Sequence, residues 1–180
     1  MKKAVFLDRD GVINEVQFSG NLPIPPRTLD EVKIIDGVFE AIRLLKANNF
    51  LPIVITNQPD VARKKVSIET VTAINLHISE LLGIKHIYTC MHDDSDLCNC
   101  RKPSSGLIEQ SAAELEIDIS KSFLVGDRWK DIAAGQEVGV PSFFIDYSYP
   151  EKQPKEPYIK VRSLLEAVER ITGGSVDVDF

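Results

Sequence analysis

Two aspartates separated by one residue follow the first apolar run of the chain. The run covers Lys3 to Leu7, and Asp8 and Asp10 come directly after it. An aspartate carboxylate can attack phosphorus, because the acyl phosphate that forms is readily hydrolysed. A second carboxylate nearby can protonate the leaving oxygen and then activate water, and Gly11 lets the backbone turn tightly beside a phosphate. The same residue types are common in surface turns, so the pair alone leaves both interpretations open.

Phosphoryl transfer brings several anionic oxygens together and therefore needs a divalent cation. Magnesium prefers oxygen ligands, and Gly126-Asp127 ends a later apolar run of the chain. We predict that Asp8, Asp10 and Asp127 bind Mg²⁺. Asp131 lies one helical turn after Asp127 and can face the same side, where we expect it to orient the metal site without binding the ion. Acidic residues at a helix N-terminus also favour the helix dipole, which is the alternative explanation.

Further phosphate-binding groups are predicted at two other positions. Thr56, Asn57 and Gln58 end a second apolar run and supply a hydroxyl and two amides that can bind phosphate oxygens, although they could equally serve only as a strand cap. Arg101 and Lys102 precede a predicted helix. A lysine here can neutralise both the phosphoryl group and the attacking carboxylate, whereas a solvated basic pair is the alternative. We assign Thr56 and Lys102 to catalysis and all five residues to substrate binding.

A short cluster of cysteines predicts a second metal site. Cys90, Cys98 and Cys100 lie close together with His92 among them. Three thiolates and one imidazole suit tetrahedral zinc without an open position, so Zn²⁺ would be structural. Three free cysteines beside a histidine are the alternative. Because the cluster runs directly into Lys102, zinc would hold that cation in position.

The elements that must position these residues alternate between strands and helices. This order predicts an α/β fold with a mostly parallel sheet and helices on both faces. Ligands of such sheets bind at the carboxyl ends of the strands, where the polar residues named above all fall. The predicted strands cover 3–7, 51–56, 84–89, 122–125 and 141–145, and the predicted helices cover 38–48, 68–82, 105–116, 129–138 and 164–171.

The length of 180 residues predicts one domain. We place it over residues 1–172, with the zinc loop at 90–100 and a flexible tail at 173–180. The segment from Gly11 to Lys33 contains three prolines and is predicted to be a loop; a loop of this length is usually functional. No room is left for an inserted lid domain.

The composition of the chain limits the classes of partner that it is expected to bind. The net charge of −6 argues against a nucleic-acid binder but allows a phosphorylated small molecule, since a few local cations suffice. No apolar run is long enough to span a membrane, and the N-terminal run meets Asp8 too early for a signal peptide. We therefore expect a cytoplasmic monomer or weak oligomer that acts on a small-molecule phosphate ester.

The motifs, in this order, resemble those of the haloacid dehalogenase-like phosphatase superfamily over roughly residues 4–145. Asp8-x-Asp10-Gly11 matches the first motif, Thr56 the second, Lys102 the third, and Gly126-Asp127-x-x-x-Asp131 the fourth. The resemblance implies a three-layer Rossmann-like fold without a large cap domain, and Mg²⁺-dependent phosphatase chemistry. Asp10 is typical of the phosphatase and phosphomutase branches.

The cysteine loop is similar to that of the zinc-bearing subgroup, which contains D-glycero-D-manno-heptose 1,7-bisphosphate phosphatases and histidinol-phosphate phosphatases. This resemblance implies that Arg101 and Lys102 contact the substrate phosphate. The chain departs from the heptose enzymes at Pro59-Asp60, at Arg128 and in the Pro-rich segment from Asn21 to Asp30. We expect a heptose bisphosphate or related sugar phosphate as substrate. Histidinol phosphate is the alternative, and a non-catalytic, zinc-stabilised interaction module is the alternative from another class.

Overall fold

The computed structural model of the protein describes residues 1–173. The strands within it are β1 (Lys3–Leu7), β2 (Gln17–Ser19), β3 (Leu22–Ile24), β4 (Phe50–Asn57), β5 (His86–Cys90), β6 (Phe123–Gly126), β7 (Ser142–Ile145) and β8 (Ile159–Val161). The α-helices are α1 (Val38–Ala47), α2 (Ile68–Leu82), α3 (Gly106–Leu115), α4 (Trp129–Glu137) and α5 (Leu164–Thr172).

Six of the strands form one sheet in the order β5-β4-β1-β6-β7-β8, and each neighbouring pair is parallel. The α/β fold class predicted from the sequence is confirmed, and every predicted strand and helix is present with bounds shifted by at most two residues. Strand β8 was not predicted, because three residues carry too little pattern to recognise. Parallel sheets of this kind are covered on both faces, which explains the continuous apolar runs.

The two faces of the sheet bury separate hydrophobic cores. Successive residues of a strand point to opposite faces; in β1, Val5 and Leu7 join the core under α1, α2 and α5. Ala4 and Phe6 join the core under α3 and α4. All four side chains are fully buried. Strand β1 therefore lies in the middle of the molecule, and the residues that follow it emerge at the centre of the carboxyl edge of the sheet.

The segment from Gly11 to Lys33 is not simply a loop, and in this respect the prediction is wrong. Strands β2 and β3 pair antiparallel into a hairpin, whose turn contains Gly20 with φ of 62°. The strands have three residues each, and Pro23 lies in one of them, so the alternating pattern that identifies a strand is too short to detect. The hairpin stands at the carboxyl edge of the sheet.

Helix ends agree with the signals in the sequence. The side chain of Ser67 accepts a hydrogen bond from the Thr70 amide at the start of α2, and Gly83 ends the helix in the left-handed conformation. Within residues 1–173, no helix combines the length and apolar character needed to cross a membrane. The tail predicted at 173–180 lies, apart from Gly173, outside the described residues, and the single domain over 1–172 stays a prediction.

Candidate active site

Three buried aspartates meet at the carboxyl edge of the sheet. Asp8 follows β1, Asp127 follows β6, and Asp131 lies in the first turn of α4. One carboxylate oxygen from each lies within 4.8 Å of the others, and the residues are 9%, 2% and 2% exposed. The parallel pairing of β1 with β6 brings the first two together although the chain separates them widely.

Glycines make this close approach possible. Gly11 has φ of 86°, and a Cβ there would lie 2.0 Å from Oδ2 of Asp127. A Cβ on Gly126 would lie 2.2 Å from Cβ of Asp131. No side chain fits at either position, and the Gly11 conformation itself favours glycine. The Arg128 amide donates to Asp131 Oδ2 over 2.9 Å, which fixes that carboxylate at the start of α4.

The side chain of Asp10 lies outside this cluster. Its carboxylate accepts hydrogen bonds from Arg9 at 3.0 Å, from Asn14 Nδ2 at 2.9 Å and from Gln58 Nε2 at 2.7 Å. The geometry therefore favours Asp131, and not the Asp10 side chain, as the third carboxylate of the metal cluster. This differs from the sequence prediction, which placed Asp10 among the ligands and Asp131 behind them. Spacing alone does not say which way two side chains on one loop turn.

Arg9 and Asn14 are members of the site that sequence reasoning missed. Arg9 is fully buried, and it also donates to Asn75 Oδ1 over 2.8 Å. A buried arginine is rare unless it is paired, so the pairing with Asp10 explains its position. The sequence did contain a signal for Arg9, because this cation lies between two aspartates directly after a buried strand.

Lys102 connects two of the clustered carboxylates. Its Nζ lies 2.8 Å from Asp8 Oδ1 and 2.7 Å from Asp131 Oδ1, and it donates to the Ile55 carbonyl over 2.8 Å. The amide of Asn57 accepts from the Lys102 backbone N–H and donates to its carbonyl, at 3.1 Å and 3.0 Å. Asn57 thus positions Lys102, a contact different from the substrate contact predicted for it.

The remaining predicted phosphate-binding residues divide into two groups. Thr56 and Gln58 are 0% and 1% exposed, and Gln58 Nε2 donates to Thr56 Oγ1 over 2.9 Å as well as to Asp10. Arg101 donates through Nε to Asp94 Oδ1 over 2.7 Å. Its Nη1 is buried and has no hydrogen-bond partner among the described residues, so this nitrogen remains available for an anion.

Burial shapes the electrostatics of the cluster. It raises the pKa of Asp8 to about 7, with the Asp131 carboxylate acting in the same direction and Lys102 acting against it. Burial and the Asp8 carboxylate raise the pKa of Asp127 well above its usual range. Burial alone would lower the pKa of Lys102, but Asp131 and Asp8 outweigh it and raise that pKa. Lys102 therefore stays charged, and the raised pKa values of Asp8 and Asp127 show that one ammonium group does not compensate for burying these carboxylates together.

The donor set fits Mg²⁺. Neither oxygen of Asp127 has a hydrogen-bond partner with normal geometry in the described part of the chain, and both are buried; the Tyr149 hydroxyl lies close enough to lower the pKa of Asp127 against the larger effect of burial. An unpaired buried carboxylate is costly. A hard divalent cation binds clustered oxygen donors and supplies the positive charge that such carboxylates lack. Asp8, Asp127 and Asp131 are the residues that would hold it.

The cysteine cluster has the dimensions of a zinc site. Sγ of Cys98 lies 3.7 Å from Sγ of Cys90 and 3.5 Å from that of Cys100. Nδ1 of His92 lies 3.6 Å and 3.3 Å from the Cys90 and Cys100 sulfurs. A tetrahedron with zinc–sulfur bonds of about 2.3 Å has edges of about 3.8 Å, whereas a disulfide bond is about 2.05 Å long. The four predicted ligands therefore surround a space that suits Zn²⁺.

The zinc loop is packed against the active site. A Cβ on Gly106 would lie 2.2 Å from the Asn99 carbonyl oxygen, so α3 begins in close contact with the loop. Burial opposes ionisation of Cys98, but hydrogen bonds from Cys100 and from nearby backbone amides outweigh it and lower the pKa of Cys98 to about 7. A thiol that ionises near neutral pH is a ready metal ligand. Arg101 and Lys102 follow this loop directly, so the loop fixes where the Lys102 backbone lies.

A cleft of about 410 Å³ opens above the cluster. Asp8 and Asp127 lie in its lining, and the hairpin supplies one wall through Ser19 and Leu22. This volume is within the range of small-molecule sites. A larger cavity of about 750 Å³ lies beyond the hairpin and is lined by aromatic residues that include Phe18 and Tyr147. The carboxylates and cations capable of phosphoryl chemistry line the smaller cleft.

The chain is similar in sequence to known hydrolases. The HAD-hydrolase-like family model matches residues 99–164. The D-glycero-beta-D-manno-heptose-1,7-bisphosphate 7-phosphatase of Haemophilus influenzae is 34% identical over 146 residues, which cover 75% of this chain and 76% of the relative. The D-glycero-alpha-D-manno-heptose-1,7-bisphosphate 7-phosphatase of Photorhabdus laumondii is 32% identical over 176 residues, covering 90% and 92% of the two chains.

A solved structure shares the whole fold. The D,D-heptose 1,7-bisphosphate phosphatase from B. bronchiseptica, crystallised with magnesium and phosphate, superimposes with a TM-score of 0.83 at 25% identity. The match covers 96% of this chain and 99% of that one. The similarity therefore extends over the sheet, the helices and the loops that carry the clustered aspartates.

Proposed function

Since this chain belongs to the haloacid dehalogenase-like hydrolases, we propose that it is an Mg²⁺-dependent phosphatase acting on a sugar bisphosphate such as D-glycero-D-manno-heptose 1,7-bisphosphate. The observation that carries the proposal is the cluster of Asp8, Asp127 and Asp131 around Lys102, with both Asp127 oxygens unpaired. It unites a nucleophile, a cation and a metal-binding set at the floor of one cleft.

Asp8 is the nucleophile. Its Oδ1 accepts hydrogen bonds from Lys102 Nζ at 2.8 Å and from the Arg9 amide at 2.7 Å, so the carboxylate is held in one orientation before substrate arrives. Attack on phosphorus forms an aspartyl phosphate on Asp8 and releases the sugar hydroxyl. Lys102 lies where it can balance the charge of the transferring phosphoryl group, which is the main requirement of phosphoryl transfer.

Asp10 is the general acid and base. It protonates the leaving sugar oxygen and then takes a proton from the water that hydrolyses the aspartyl phosphate. Three neighbours, Arg9, Asn14 and Gln58, fix its carboxylate, and pre-positioning of this kind favours proton transfer. Mg²⁺ held by the carboxylate cluster would neutralise the phosphate oxygens during this chemistry. Zn²⁺ held by the cysteine cluster would keep Lys102 in place and take no part in the reaction.

The substrate assignment follows the relatives. They are named for the 1,7-bisphosphates of both the alpha and the beta anomer, so both anomers belong in the assay. The narrow cleft of about 410 Å³ and the absence of an inserted cap between β1 and β4 among the described residues suit a small sugar phosphate.

The test is a phosphate-release assay with purified protein and Mg²⁺. The substrates are the two anomers of heptose 1,7-bisphosphate, heptose 7-phosphate and histidinol phosphate. We expect fastest release from a heptose bisphosphate and loss of release in Asp8→Asn. Asp118→Asn is the matched control, because Asp118 precedes β6 at the opposite edge of the sheet, where its amide binds the Lys2 carbonyl. Full activity in Asp8→Asn, or faster release from histidinol phosphate, would contradict the proposal.

A further inference from the structure

The outer part of the cleft is strongly basic although the chain as a whole carries a charge of −6. Beyond the catalytic carboxylates and Lys102, the charged lining consists of one acid, Asp60, and six bases, which are Arg27, Arg63, Lys65, Arg101, Arg128 and Lys130. Carboxylates that lie outside the lining pair with some of these bases, among them Arg63, Arg101 and Arg128. Cationic groups still outnumber acidic ones on this part of the cleft wall, and low-dielectric walls focus the field of such charges.

Two of these arginines converge on Asp60. Arg27 donates to Asp60 Oδ2 through Nε at 3.0 Å and Nη2 at 2.7 Å. Arg63 approaches the other oxygen, with Nη1 3.9 Å from Asp60 Oδ1. The Asp60 side chain is only 6% exposed, whereas those of Arg27 and Arg63 are 37% and 38% exposed. A buried carboxylate thus holds two guanidinium groups that remain open to the cleft.

The orientation of both guanidinium groups is fixed. Arg63 donates through Nε and Nη2 to the two oxygens of Asp93, at 2.8 Å and 2.5 Å, whereas Arg27 directs both of its donors to one oxygen of Asp60. Nη1 of Arg27 has no hydrogen-bond acceptor within residues 1–173, whereas Nη1 of Arg63 faces Asp60 Oδ1 at 3.9 Å, an ion-pair distance beyond a normal hydrogen bond. A planar guanidinium fork held on one side presents its remaining N–H groups in a defined direction, which lowers the entropy cost of binding an anion.

The contact joins two parts of the chain that are far apart in sequence. Arg27 belongs to the Pro-rich segment and Asp60 follows Pro59. Pro25 and Pro26 restrict the backbone just before Arg27, and the Arg27 amide donates to Glu31 Oε2 over 2.7 Å. These contacts hold the Arg27 side chain at the wall of the cleft.

We propose that Arg27 and Arg63, positioned by Asp60, form a subsite for a second phosphate group of the substrate, remote from the phosphate that Asp8 removes. This rests on the proposed phosphatase function and identifies the part of the chain that recognises the bisphosphate. Arg27 and Arg63 line the cleft with Lys65 beside them, and both arginine side chains are more than one-third exposed. The free Nη1 of Arg27 can donate to a phosphate oxygen, and charge-assisted bonds to arginine are the strong ones.

The experiment compares heptose 1,7-bisphosphate with heptose 7-phosphate, which retains the 7-phosphate named in the relatives and lacks the second. The measured quantity is the ratio of kcat/KM for the two substrates. We expect Arg27→Ala to lower this ratio by about tenfold to a hundredfold, because a hydrogen bond to a charged group has that value. Arg43→Ala removes an exposed arginine paired with Glu40 on α1 and should leave both rates unchanged.

Further variants separate recognition from folding. Arg27→Lys keeps a charge at the subsite without the planar fork, so its ratio should lie between those of wild type and Arg27→Ala. Asp60→Asn should lower the ratio clearly in the wild-type background and much less in the Arg27→Ala background, where only the contact of Asp60 with Arg63 is left to lose. Melting temperatures of all variants show whether each is folded.

The possible failures are distinguishable. If wild-type protein hydrolyses neither substrate, the proposed action on heptose phosphates is refuted. If it hydrolyses both and the ratio in folded Arg27→Ala equals that of wild type, the second-phosphate subsite is refuted while the phosphatase function stands. An effect of Asp60→Asn that is equally large in both backgrounds would show that Asp60 does not act through Arg27.

Discussion

The nucleophile of this site is expected to destabilise the metal-free fold. The environment of Asp8 raises its pKa from 3.8 to about 7, with burial as the main cause. When the pKa of a carboxyl group is higher in the folded than in the unfolded state, ionisation of that group lowers the free energy of unfolding. The penalty is absent below pH 4, grows as the pH rises from about 4 to about 7, and is fully present above that. A shift of about three units corresponds to about 4 kcal/mol.

Asp8→Asn should remove this penalty. Asparagine resembles the neutral acid, so the variant should be more stable than wild type above pH 7 by up to about 4 kcal/mol, and equal to it near pH 4. After burial, the carboxylates of Asp131 and Asp10 contribute to the raised pKa of Asp8, and Lys102 opposes them. The assay is urea unfolding between pH 4 and 8 in Mg²⁺-free buffer without a chelator, so that the cysteine cluster keeps its metal.

Two controls make this result decisive. Asp118→Asn, at the other edge of the sheet, should not show the same pH-dependent gain. Addition of Mg²⁺ should stabilise wild type more than Asp8→Asn, because a bound cation is worth most where the carboxylates repel each other. If Asp8→Asn is less stable than wild type at pH 8, or if its gain is the same at every pH, the reasoning about burial of the nucleophile is refuted.

Three further predictions concern the parts that position the site. Gly11→Ala should abolish Mg²⁺-dependent activity, because its Cβ would lie 2.0 Å from Asp127 Oδ2; normal activity and Mg²⁺ affinity would contradict this. Asn57→Ala should lower kcat more than it raises KM, since it loses the two bonds to the Lys102 backbone; a change in KM alone would indicate a direct substrate contact. Cys98→Ser should reduce the zinc content measured by elemental analysis and lower both melting temperature and kcat, whereas wild-type zinc content would refute the proposed site.

Much of the fold followed from local patterns along the chain. Continuous apolar runs such as Lys3–Leu7 identify strands that are buried on both sides, and Ser67 and Gly83 mark the ends of α2. These signals depend on neighbouring residues only, so they can be recognised without coordinates. The hairpin of β2 and β3 and the edge strand β8 escaped prediction, because strands of three residues are too short to show an apolar pattern.

For the site, the sequence determined which chemistry is possible, and tertiary structure decided which atoms carry it out. The types and order of the aspartates after buried strands indicated phosphoryl transfer with Mg²⁺, and the spacing of the cysteine cluster indicated a separate structural zinc site. Only the folded chain shows that Asp131 joins the carboxylate cluster while Asp10 turns toward Arg9. The physical reason is that residue spacing limits where a side chain can be, whereas its direction and its partner depend on packing between strands and loops far apart in the chain.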